Sequence, residues 1–322
     1  MSPLVSVIVP CKDAAPWLAD TINSCLNQTW PKLELIIVDN GSSDGSLALA
    51  GKYESPSVKI IECARNGASA ARNAGLQQTR GNLVQFLDAD DVLDRDKIRI
   101  QVERLGRLPE GTIASGAWAR FHREPAASIF SPEPVWRDFS PTDFLISSWL
   151  GGGMMPSFAW LTPRQVIEKA GSWNEELSLN DDGEFFSRVV LASKGIAFCG
   201  DARGFYRTLP YPTLSKRRDR KGFASAYKAA DLSCRNLLEH CDSDAAKKAA
   251  ACQLQRFIYD LYPQMPELIK AAEQRVLELG GSELRMGGGS AFKGLSACVG
   301  WKIARRCQLL WHSIRRGALR AS

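Results

Sequence analysis

The sequence predicts an α/β protein whose mostly parallel central sheet is flanked by helices and followed by a helical extension. Short apolar runs that end in turn residues, such as LVSVIVP at 4–10 and LELIIVD at 33–39, are typical of strands buried on both faces. Helical patterns lie between these runs, and this alternation favours a parallel sheet. Beyond residue 220 only helical spacing of apolar residues is found, which predicts the extension.

The same patterns predict each element in order. The first part of the chain is expected to contain strands at 4–10, 33–39, 58–62 and 83–88, with helices at 17–26 and 67–78. Further strands are predicted at 113–118, 158–161, 196–200 and 204–207. Further helices are predicted at 182–193, 223–240, 244–262 and 266–279. We therefore expect an α/β domain over 1–215, a helical extension over 216–285, and a tail over 286–322 that combines a Gly-rich hinge (286–290) with a basic amphipathic helix.

The positive charge of the chain is concentrated at its C-terminal end. The 322 residues carry a formal charge of +6, whereas residues 292–322 carry seven Lys or Arg and no acidic residue. The rest of the chain therefore sums to about −1 (6 minus 7), so charge gives no support for nucleic-acid binding by the main body.

Several observations predict a cytoplasmic protein. The nine cysteines are scattered without a CxxC pair, which favours buried thiols in a reducing compartment. The N-terminal residues MSPLVSVIVPCKD lack the basic start and long apolar core of a signal peptide. No run approaches the roughly 18 apolar residues that a membrane-spanning helix requires. We expect a chain that is at most peripheral at the inner face of the membrane.

Polar clusters follow three of the predicted strands at the point where each strand ends. They are Cys11-Lys12-Asp13, Asp39-Asn40-Gly41-Ser42 and Asp88-Ala89-Asp90-Asp91. Because ligands of parallel α/β sheets bind beyond the carboxyl ends of the strands, these clusters predict a binding site there.

The stretch LVQFLDADDVLDRD at 83–96 gathers five aspartates within nine positions. Carboxylates that close together raise one another's pKa unless a cation lies among them. Mg²⁺ or Mn²⁺ would suit such a cluster, because Mg²⁺ takes one or two protein carboxylates together with substrate phosphates and water. The alternative is that Asp90 or Asp91 caps the helix that follows.

Two segments carry a resemblance to a known family. VSVIVPCKDAAPWLADTINSCLNQTWPKLELIIVDNGSSDGS and the later NGASAARNAGLQQTRGNLVQFLDADD resemble the nucleotide-binding half of family 2 glycosyltransferases, over roughly residues 4–207. The resemblance implies a GT-A fold and a nucleotide-diphosphate sugar as donor. It also implies that Asp39 accepts a hydrogen bond from the base, that Asp88 contacts the nucleotide near its ribose, and that Asp90 binds the metal.

Other nucleotide contacts are implied with less support from the motif. The family's opening motif appears here as Pro10-Cys11-Lys12-Asp13, without its usual aromatic residue. Pro10, Cys11 and Asp13 are therefore candidates for altered contacts with the base. Arg72 is a further candidate for nucleotide contact, and a surface arginine on an alanine-rich helix is the alternative.

A second acidic cluster lies in SWNEELSLNDDGEFFSRV at 172–189. Alignment of Glu184 and the two following phenylalanines with the family's acid-aromatic pair makes Asp182 the catalytic base and Asp181 the substitute for the usual glutamate. The following helix would stabilise the ionised acids at its N-terminus, and capping of that helix is the alternative role for both aspartates. Only one candidate base and no candidate nucleophile are found, so the resemblance implies an inverting reaction at an acceptor hydroxyl.

Two basic segments complete the sequence-based prediction. Arg207, together with Lys216, Arg217 and Arg218, occupies the place where family members often have a loop that closes over the diphosphate, and a solvated basic run is the alternative. In the tail, apolar residues recur at three- or four-residue intervals: Leu295, Val299, Ile303, Cys307, Leu310 and Ile314. A basic amphipathic helix suits an anionic membrane and hence a lipid-linked saccharide acceptor, whereas the alternative is a helix packed on the body with its basic face in water.

The predicted function is a metal-dependent inverting glycosyltransferase of polysaccharide or glycolipid synthesis. A nucleotidyltransferase is one rival, although Pro10-Cys11-Lys12-Asp13 does not supply the glycine-rich phosphate loop expected of that class. A catalytically silent protein that only binds sugar nucleotides or acts as a scaffold is the other rival.

Overall fold

The computed structural model describes residues 2–209 and 219–318, with side chains described as far as residue 311. The strands are Val5–Cys11 (β1), Leu33–Asp39 (β2), Val58–Glu62 (β3), Leu83–Phe86 (β4), Val92–Leu93 (β5), Thr112–Phe121 (β6), Thr162–Pro163 (β7) and Gly195–Arg207 (β8). The first seven α-helices are Ala15–Leu26 (α1), Ser46–Gly51 (α2), Ala68–Gln78 (α3), Lys97–Leu105 (α4), Pro141–Ser147 (α5), Arg164–Ala170 (α6) and Asp181–Ala192 (α7). The others are Arg220–His240 (α8), Asp244–Leu261 (α9), Pro266–Glu278 (α10), Ser290–Val299 (α11) and Trp301–Ala318 (α12).

The predicted parallel sheet is confirmed. Strands β3, β2, β1 and β4 lie side by side in that order and all run parallel, and β7 adds one short antiparallel edge. Every residue of β1 except Pro10 is buried, so the strand is covered on both faces, as its unbroken apolar run predicts. Apolar residues from one face contact α1, and those from the other face contact α3 and the helices behind it. The result is the expected α/β architecture.

A second, three-stranded sheet lies beside the first, with β8 between β5 and β6. The two predicted strands at 196–200 and 204–207 form a single strand, β8, which runs parallel to β6. The pairing register shifts between Gly116 and Trp118, and here a Cβ at Gly116 would lie only 2.1 Å from the backbone carbonyl oxygen of Ala202. Only a glycine at position 116 leaves room for the backbone of β8, so it allows β6 and β8 to pair on both sides of the register shift.

The strand predicted at 158–161 is wrong. Residues Ser157–Ala159 form a single 3₁₀ turn, and only one isolated bridge, from Ala114 to Leu161, links the segment to the sheet. Its carbonyl groups are satisfied by side chains instead: Gln85 donates to Phe158 O and Gln101 donates to Ala159 O. Buried amide side chains thus replace the ladder that apolar content alone predicts.

The helical extension predicted from residue 220 is confirmed, and its helices share a core with the sheet. Phe185 and Phe186 of α7 belong to the same buried cluster as Phe223 of α8 and Ala250 of α9. The domain boundary predicted at 215/216 lies outside the described residues, so the three-part division stays a prediction. Residues 281–289 form no helix or strand before α11 begins. Within the described ranges, no helix is both long and apolar enough to cross a membrane.

Candidate active site

The parallel register brings the predicted polar turns to one edge of the sheet. Cys11 at the end of β1 pairs with Asp39 at the end of β2, and Asp88 follows shortly after the end of β4 on the other side of β1. All three turns therefore lie beyond the carboxyl ends of adjacent strands, as the sequence predicts.

The turn after β2 fixes Asp39 and leaves one of its oxygens unpaired. Asp39 is 3% exposed, and its Oδ2 accepts hydrogen bonds from the backbone N–H groups of Gly41 and Ser42, both at 3.1 Å. Its Oδ1 is buried and has no hydrogen-bond partner among the described residues. Because an unpaired buried acceptor is costly, this oxygen is suited to receive an N–H group of a ligand.

The residues at the end of β1 differ in how accessible they are. Cys11 is buried, and burial raises the pKa of its thiol to about 11, so it remains a neutral packing group at physiological pH. Pro10 is partly exposed at the same edge. Asp13 has a left-handed backbone (φ 49°), and its Oδ1 accepts a hydrogen bond from Ser43 N at 2.7 Å. Asp13 therefore joins the β1 turn to the β2 turn.

Arg72 on α3 connects the two acidic clusters that the sequence identifies separately. Its Nη2 donates to Asp88 Oδ1 at 2.8 Å, and its Nη1 donates to Asp181 Oδ2, also at 2.8 Å. The arginine side chain is 6% exposed, compared with 37% for Asp88. Its position excludes the alternative of an ordinary surface arginine. One planar guanidinium thus positions a carboxylate from each cluster at the same edge of the sheet.

An aromatic stack supports Arg72 from behind. The guanidinium lies 4.4 Å from the ring centroid of Trp173, and Trp173 stacks on Phe185 of α7 with centroids 3.9 Å apart. Asn73, next to Arg72, binds both backbone groups of Trp173: it accepts from its N–H and donates to its carbonyl, each at 2.9 Å. Cation–π contact and a paired hydrogen bond therefore fix the arginine that links the two clusters.

The turn that follows β4 is stabilised by Asp91, its last acid, and by Arg207 of β8. Asp91 is buried, and its Oδ1 accepts from the backbone N–H of Arg207 at 2.8 Å. The side chain of Arg207 donates to Asp90 O at 2.7 Å and to Asp20 Oδ2 at 2.9 Å. Thr21 donates to the carbonyl groups of Ala89 and Asp91. Arg207 therefore positions the backbone of this turn, whereas Lys216, Arg217 and Arg218 lie outside the described residues.

The carboxylates of Asp88 and Asp90 suit a hard divalent cation. Burial and the nearby charge of Asp88 raise the pKa of Asp90 to about 6, so a positive ion beside it would offset an existing repulsion. Across the described ranges, no three His, Cys, Asp or Glu side chains are grouped to hold a metal ion. Two oxygen ligands are nevertheless enough for Mg²⁺ when a diphosphate supplies others, so these residues fit such an ion.

The first turn of α7 contains three acids, and among the described hydrogen bonds only one of them, Asp182, has no side-chain donor on its carboxylate. Asp181 accepts hydrogen bonds from Arg72 and Ser69, the latter at 2.9 Å. Glu184 is 3% exposed and binds Arg188 through both oxygens, at 2.6 and 2.9 Å. Asp182 accepts only the N–H of Gly183, at 2.8 Å, among the described hydrogen bonds. Burial and the charge of Asp181 raise the pKa of Asp182 to about 6.

Sequence reasoning missed three residues that build this arrangement: Ser69, Asn73 and Trp173. It identified Asp91 as part of the acidic run but not its bond to the backbone of Arg207. The three missed residues bond to partners about a hundred positions away in the chain. No local pattern reports such contacts.

Comparison with known proteins identifies the class. The model of glycosyl transferase family 2 matches residues 6–164, and over this segment the chain belongs to that family. TuaG of Bacillus subtilis, a glycosyltransferase provisionally assigned to teichuronic acid biosynthesis, is 40% identical over 104 residues, which cover 31% of this chain and 41% of that protein. Glycosyltransferase AglE of Haloferax volcanii is 27% identical over 234 residues, covering 68% of this chain and 72% of AglE.

Solved structures show the same fold. The crystal structure of residues 1–349 of TarS from S. aureus superposes with a TM-score of 0.66 at 16% identity, covering 86% of this chain and 80% of that one. TarS 1–349 in complex with UDP-GlcNAc superposes with a TM-score of 0.62, also at 16% identity, covering 86% of this chain and 89% of that one. The predicted GT-A fold is therefore confirmed.

Proposed function

We propose that this chain is a metal-dependent, inverting glycosyltransferase that moves a sugar from a nucleotide-diphosphate donor to an acceptor hydroxyl in cell-envelope polysaccharide or glycolipid synthesis. The observation that carries the proposal is the Arg72 guanidinium, which contacts Asp88 and Asp181 at once. The predicted donor motif and the predicted base motif therefore meet at one site beyond the sheet edge. Relatives named for teichuronic acid and chondroitin synthesis favour a saccharide product.

The donor would bind at the three turns of the sheet edge. The unpaired Oδ1 of Asp39 supports recognition of an N–H group on the nucleotide base. Asp88, with one oxygen on Arg72, is placed for a sugar hydroxyl of the nucleoside. UDP-GlcNAc is found in the complex of the similarly folded TarS, so a uridine nucleotide is the donor to test first.

Asp182 is the proposed general base. Asp181 is occupied by Arg72 and Ser69, and Glu184 is occupied by Arg188, so Asp182 is the acid of this helix whose carboxylate can accept a proton. A pKa of about 6 keeps it mostly ionised at neutral pH while making it a stronger base than an ordinary aspartate. It would remove the proton of the acceptor hydroxyl as that oxygen attacks the anomeric carbon.

Asp90, with Asp88, would hold Mg²⁺ or Mn²⁺. When bound, such an ion stabilises the negative charge that develops on the departing diphosphate. The protein's own contribution is to fix the turn, since Arg207 and Thr21 bind the backbone of Asp90, Ala89 and Asp91.

Nucleotide release tests the proposal. UDP-, GDP- and dTDP-sugars are incubated with the full chain, with and without Mn²⁺ or Mg²⁺, and the freed nucleotide is measured. We expect metal-dependent release from one donor, lost in Asp90→Asn and retained in Asp201→Asn, whose side chain is 85% exposed and pairs only with Arg203 among the described ion pairs. Donor binding without release from any member would favour the silent binder, and pyrophosphate release from a nucleoside triphosphate and a sugar phosphate would favour the nucleotidyltransferase.

We also propose that the tail contacts an anionic membrane from the cytoplasmic side, where a lipid-linked saccharide acceptor would lie. Trp301 packs on Tyr259 and Tyr262, with ring centroids 4.7 and 5.0 Å away, and this contact fixes α12 on the body. The predicted apolar stripe does not pack there: Leu295, Val299, Ile303 and Leu310 are 38–64% exposed. An exposed apolar stripe among Lys and Arg residues supports a membrane surface over the alternative of a helix packed through that stripe.

Binding to vesicles tests the tail. We expect the wild type to sediment with vesicles of phosphatidylcholine and phosphatidylglycerol, and Ile303→Ser with Leu310→Ser to bind several-fold more weakly because the apolar stripe is lost. Leu277→Ser is the matched control, because Leu277 is an apolar residue on α10 that is at least as exposed, at 71%. Equal binding by the stripe variant and the control would refute membrane contact through α11 and α12.

A further inference from the structure

A cavity of about 310 Å³ lies between the helical extension and the loop that leads into α7. Its lining includes Asn180 from that loop, Phe223 from α8, and Gln253, Arg256 and Phe257 from α9. None of the residues assigned above to the donor lines it. Asn180 is two positions before Asp182, so the cavity borders the segment that carries the proposed base.

The lining combines flat apolar surfaces with amide and guanidinium groups. Phe223 is buried in the wall, whereas Phe257 is partly exposed and packs beside Tyr227, with ring centroids 5.5 Å apart. Gln253 and Arg256 are also partly exposed, and Arg256 donates one N–H toward Trp149 O at 3.5 Å. Small-molecule sites are typically of this size and combine apolar walls with a few polar groups. A sugar ring matches the combination, because its C–H face is apolar and its rim consists of hydroxyl groups.

The loop at the mouth of the cavity is fixed to the extension by one buried hydroxyl. Ser225 Oγ on α8 accepts hydrogen bonds from Ser178 N at 2.7 Å and Leu179 N at 3.0 Å, and it lies 3.2 Å from Leu179 O. The next residue, Asn180, has a left-handed backbone (φ 62°) and precedes the first turn of α7. A non-glycine residue in that conformation is uncommon and is maintained by its surroundings. Leu179 and Asn180 therefore form part of the cavity wall and lead directly into the segment that carries Asp182.

We propose that this cavity is an acceptor subsite that binds one sugar ring of a saccharide acceptor. The proposal rests on the transferase function argued above. Gln253 and Arg256 would bind ring hydroxyls, Phe257 would pack on the ring face, and the anchored loop would direct a neighbouring hydroxyl of the acceptor toward Asp182. The helical extension then supplies acceptor recognition, while the sheet edge supplies donor recognition.

Ligand-observed NMR on the full chain tests the subsite. The probes are the methyl glycosides of glucose, galactose, N-acetylglucosamine and N-acetylgalactosamine at millimolar concentration, and UDP with Mn²⁺ is titrated separately to report on the donor site. We expect saturation transfer to at least one glycoside. Gln253→Ala should weaken it about tenfold, as the loss of a hydrogen bond to the ligand would. Ala226→Trp, which fills the cavity from α8, should abolish it.

Gln255→Ala is the matched control, because Gln255 lies on the same helix and does not line the cavity. It should leave glycoside binding within about twofold of the wild type. UDP binding should be the same in all variants. Saturation transfer to none of the four glycosides, or transfer that persists in Ala226→Trp, would overturn the subsite. Glycoside binding by a wild type that neither binds UDP nor releases nucleotide would instead reject the transferase function and leave a sugar-binding cavity.

Discussion

The acidic turn after β4 and the acidic start of α7 come from different parts of the chain, yet they distribute their carboxylates in the same way. In the turn, Asp88 binds Arg72 and Asp91 binds the backbone of Arg207, whereas the carboxylate of Asp90 is partly buried beside the like charge of Asp88. At the helix, Asp181 binds Arg72 and Glu184 binds Arg188, whereas Asp182 is left in a similar environment. Each cluster thus has neighbours held by donors and one acid with few donors whose pKa rises to about 6. In the turn, burial and the charges of Asp90 and Asp88 also raise the pKa of Asp91, whose carboxylate is held by the Arg207 N–H.

The comparison teaches that an acidic cluster is mostly supporting structure. Neighbours bound by guanidinium or backbone N–H donors hold the remaining carboxylate in place. An acid with a raised pKa and no such side-chain donor is a functional candidate. The two clusters differ in what lies beside them, because the turn belongs to the proposed donor site and the helix follows Asn180, which lines the cavity of the extension.

Asp182→Asn should produce the largest loss of turnover. The amide cannot accept the acceptor proton, so we expect kcat to fall by about 10²–10⁴-fold, with the donor Kd unchanged. The same change removes a partly buried charge that the folded state disfavours, so the free energy of unfolding at pH 7.5 should rise, on the order of 1 kcal/mol. Single-turnover kinetics, donor titration and thermal unfolding measure the three quantities. A loss of turnover below tenfold would exclude Asp182 as the base and direct attention to Asp181.

Arg72→Lys tests the link between the clusters. An ammonium keeps the charge but cannot present two N–H groups to Asp88 and Asp181 in one plane, so we expect kcat/KM to fall about 10²-fold through misplacement of both acids. The free energy of unfolding of the Lys variant should also be lower than that of the wild type, because one ammonium at this buried position cannot pair with both carboxylates. Donor binding, turnover and thermal unfolding are compared with Arg188→Lys, which alters the contacts of Arg188 with Glu184 and with the carbonyl groups of Ala170 and Ser172 but leaves the Arg72 hydrogen bonds in place. Equal losses of turnover in the two variants would show that the link has no special role.

The pH dependence should follow the ionisation of Asp182. Because the carboxylate is the active form and its pKa is about 6, kcat/KM at saturating metal should fall about tenfold per pH unit below 6. Asp90 has a similar pKa, but a tenfold increase in Mn²⁺ should shift only the part of the profile that belongs to Asp90. A profile that is flat from pH 5 to 8 would contradict the role of Asp182.

The same ionisation affects stability with a definite sign. The folded pKa of Asp182 lies above its ordinary value of 3.8, so its protonation favours the folded state, and its stabilising effect is lost as the pH rises through 6. Unfolding of the wild type and Asp182→Asn at several pH values measures this. The stability advantage of the variant should grow between pH 4 and pH 7.

Glu184→Gln should have the smallest effect on turnover. Its two charge-assisted hydrogen bonds to Arg188 are buried, so the amide should lower the free energy of unfolding by about 1–3 kcal/mol. Because this pair positions the helix and carries no chemistry, kcat should change by less than about threefold. A large loss of turnover with unchanged stability would return Glu184 to the list of catalytic candidates.

The local pattern of residues was enough to predict much of this fold. Apolar runs such as 33–39 and the helical spacing beyond residue 220 report burial directly, because alternation and periodicity follow from the geometry of a strand or helix. The segment 158–161 shows where this fails. Its apolar content is that of a strand, but Gln85 and Gln101, from distant elements, take the hydrogen bonds of its carbonyl groups.

For the site, the sequence by itself determined which residue types gather at the sheet edge, and it determined the resemblance to family 2 glycosyltransferases. Only the tertiary structure decided which acids are occupied, because each choice depends on a partner far away in the chain. Arg72 reaches residues 16 and 109 positions away, and Arg207 reaches Asp20 across 187 positions. Local propensity governs neighbours in sequence, whereas packing brings distant donors and acceptors together. The folded chain, and not the local sequence, therefore determines that Asp90 and Asp182 remain available while their acidic neighbours are bound by donors.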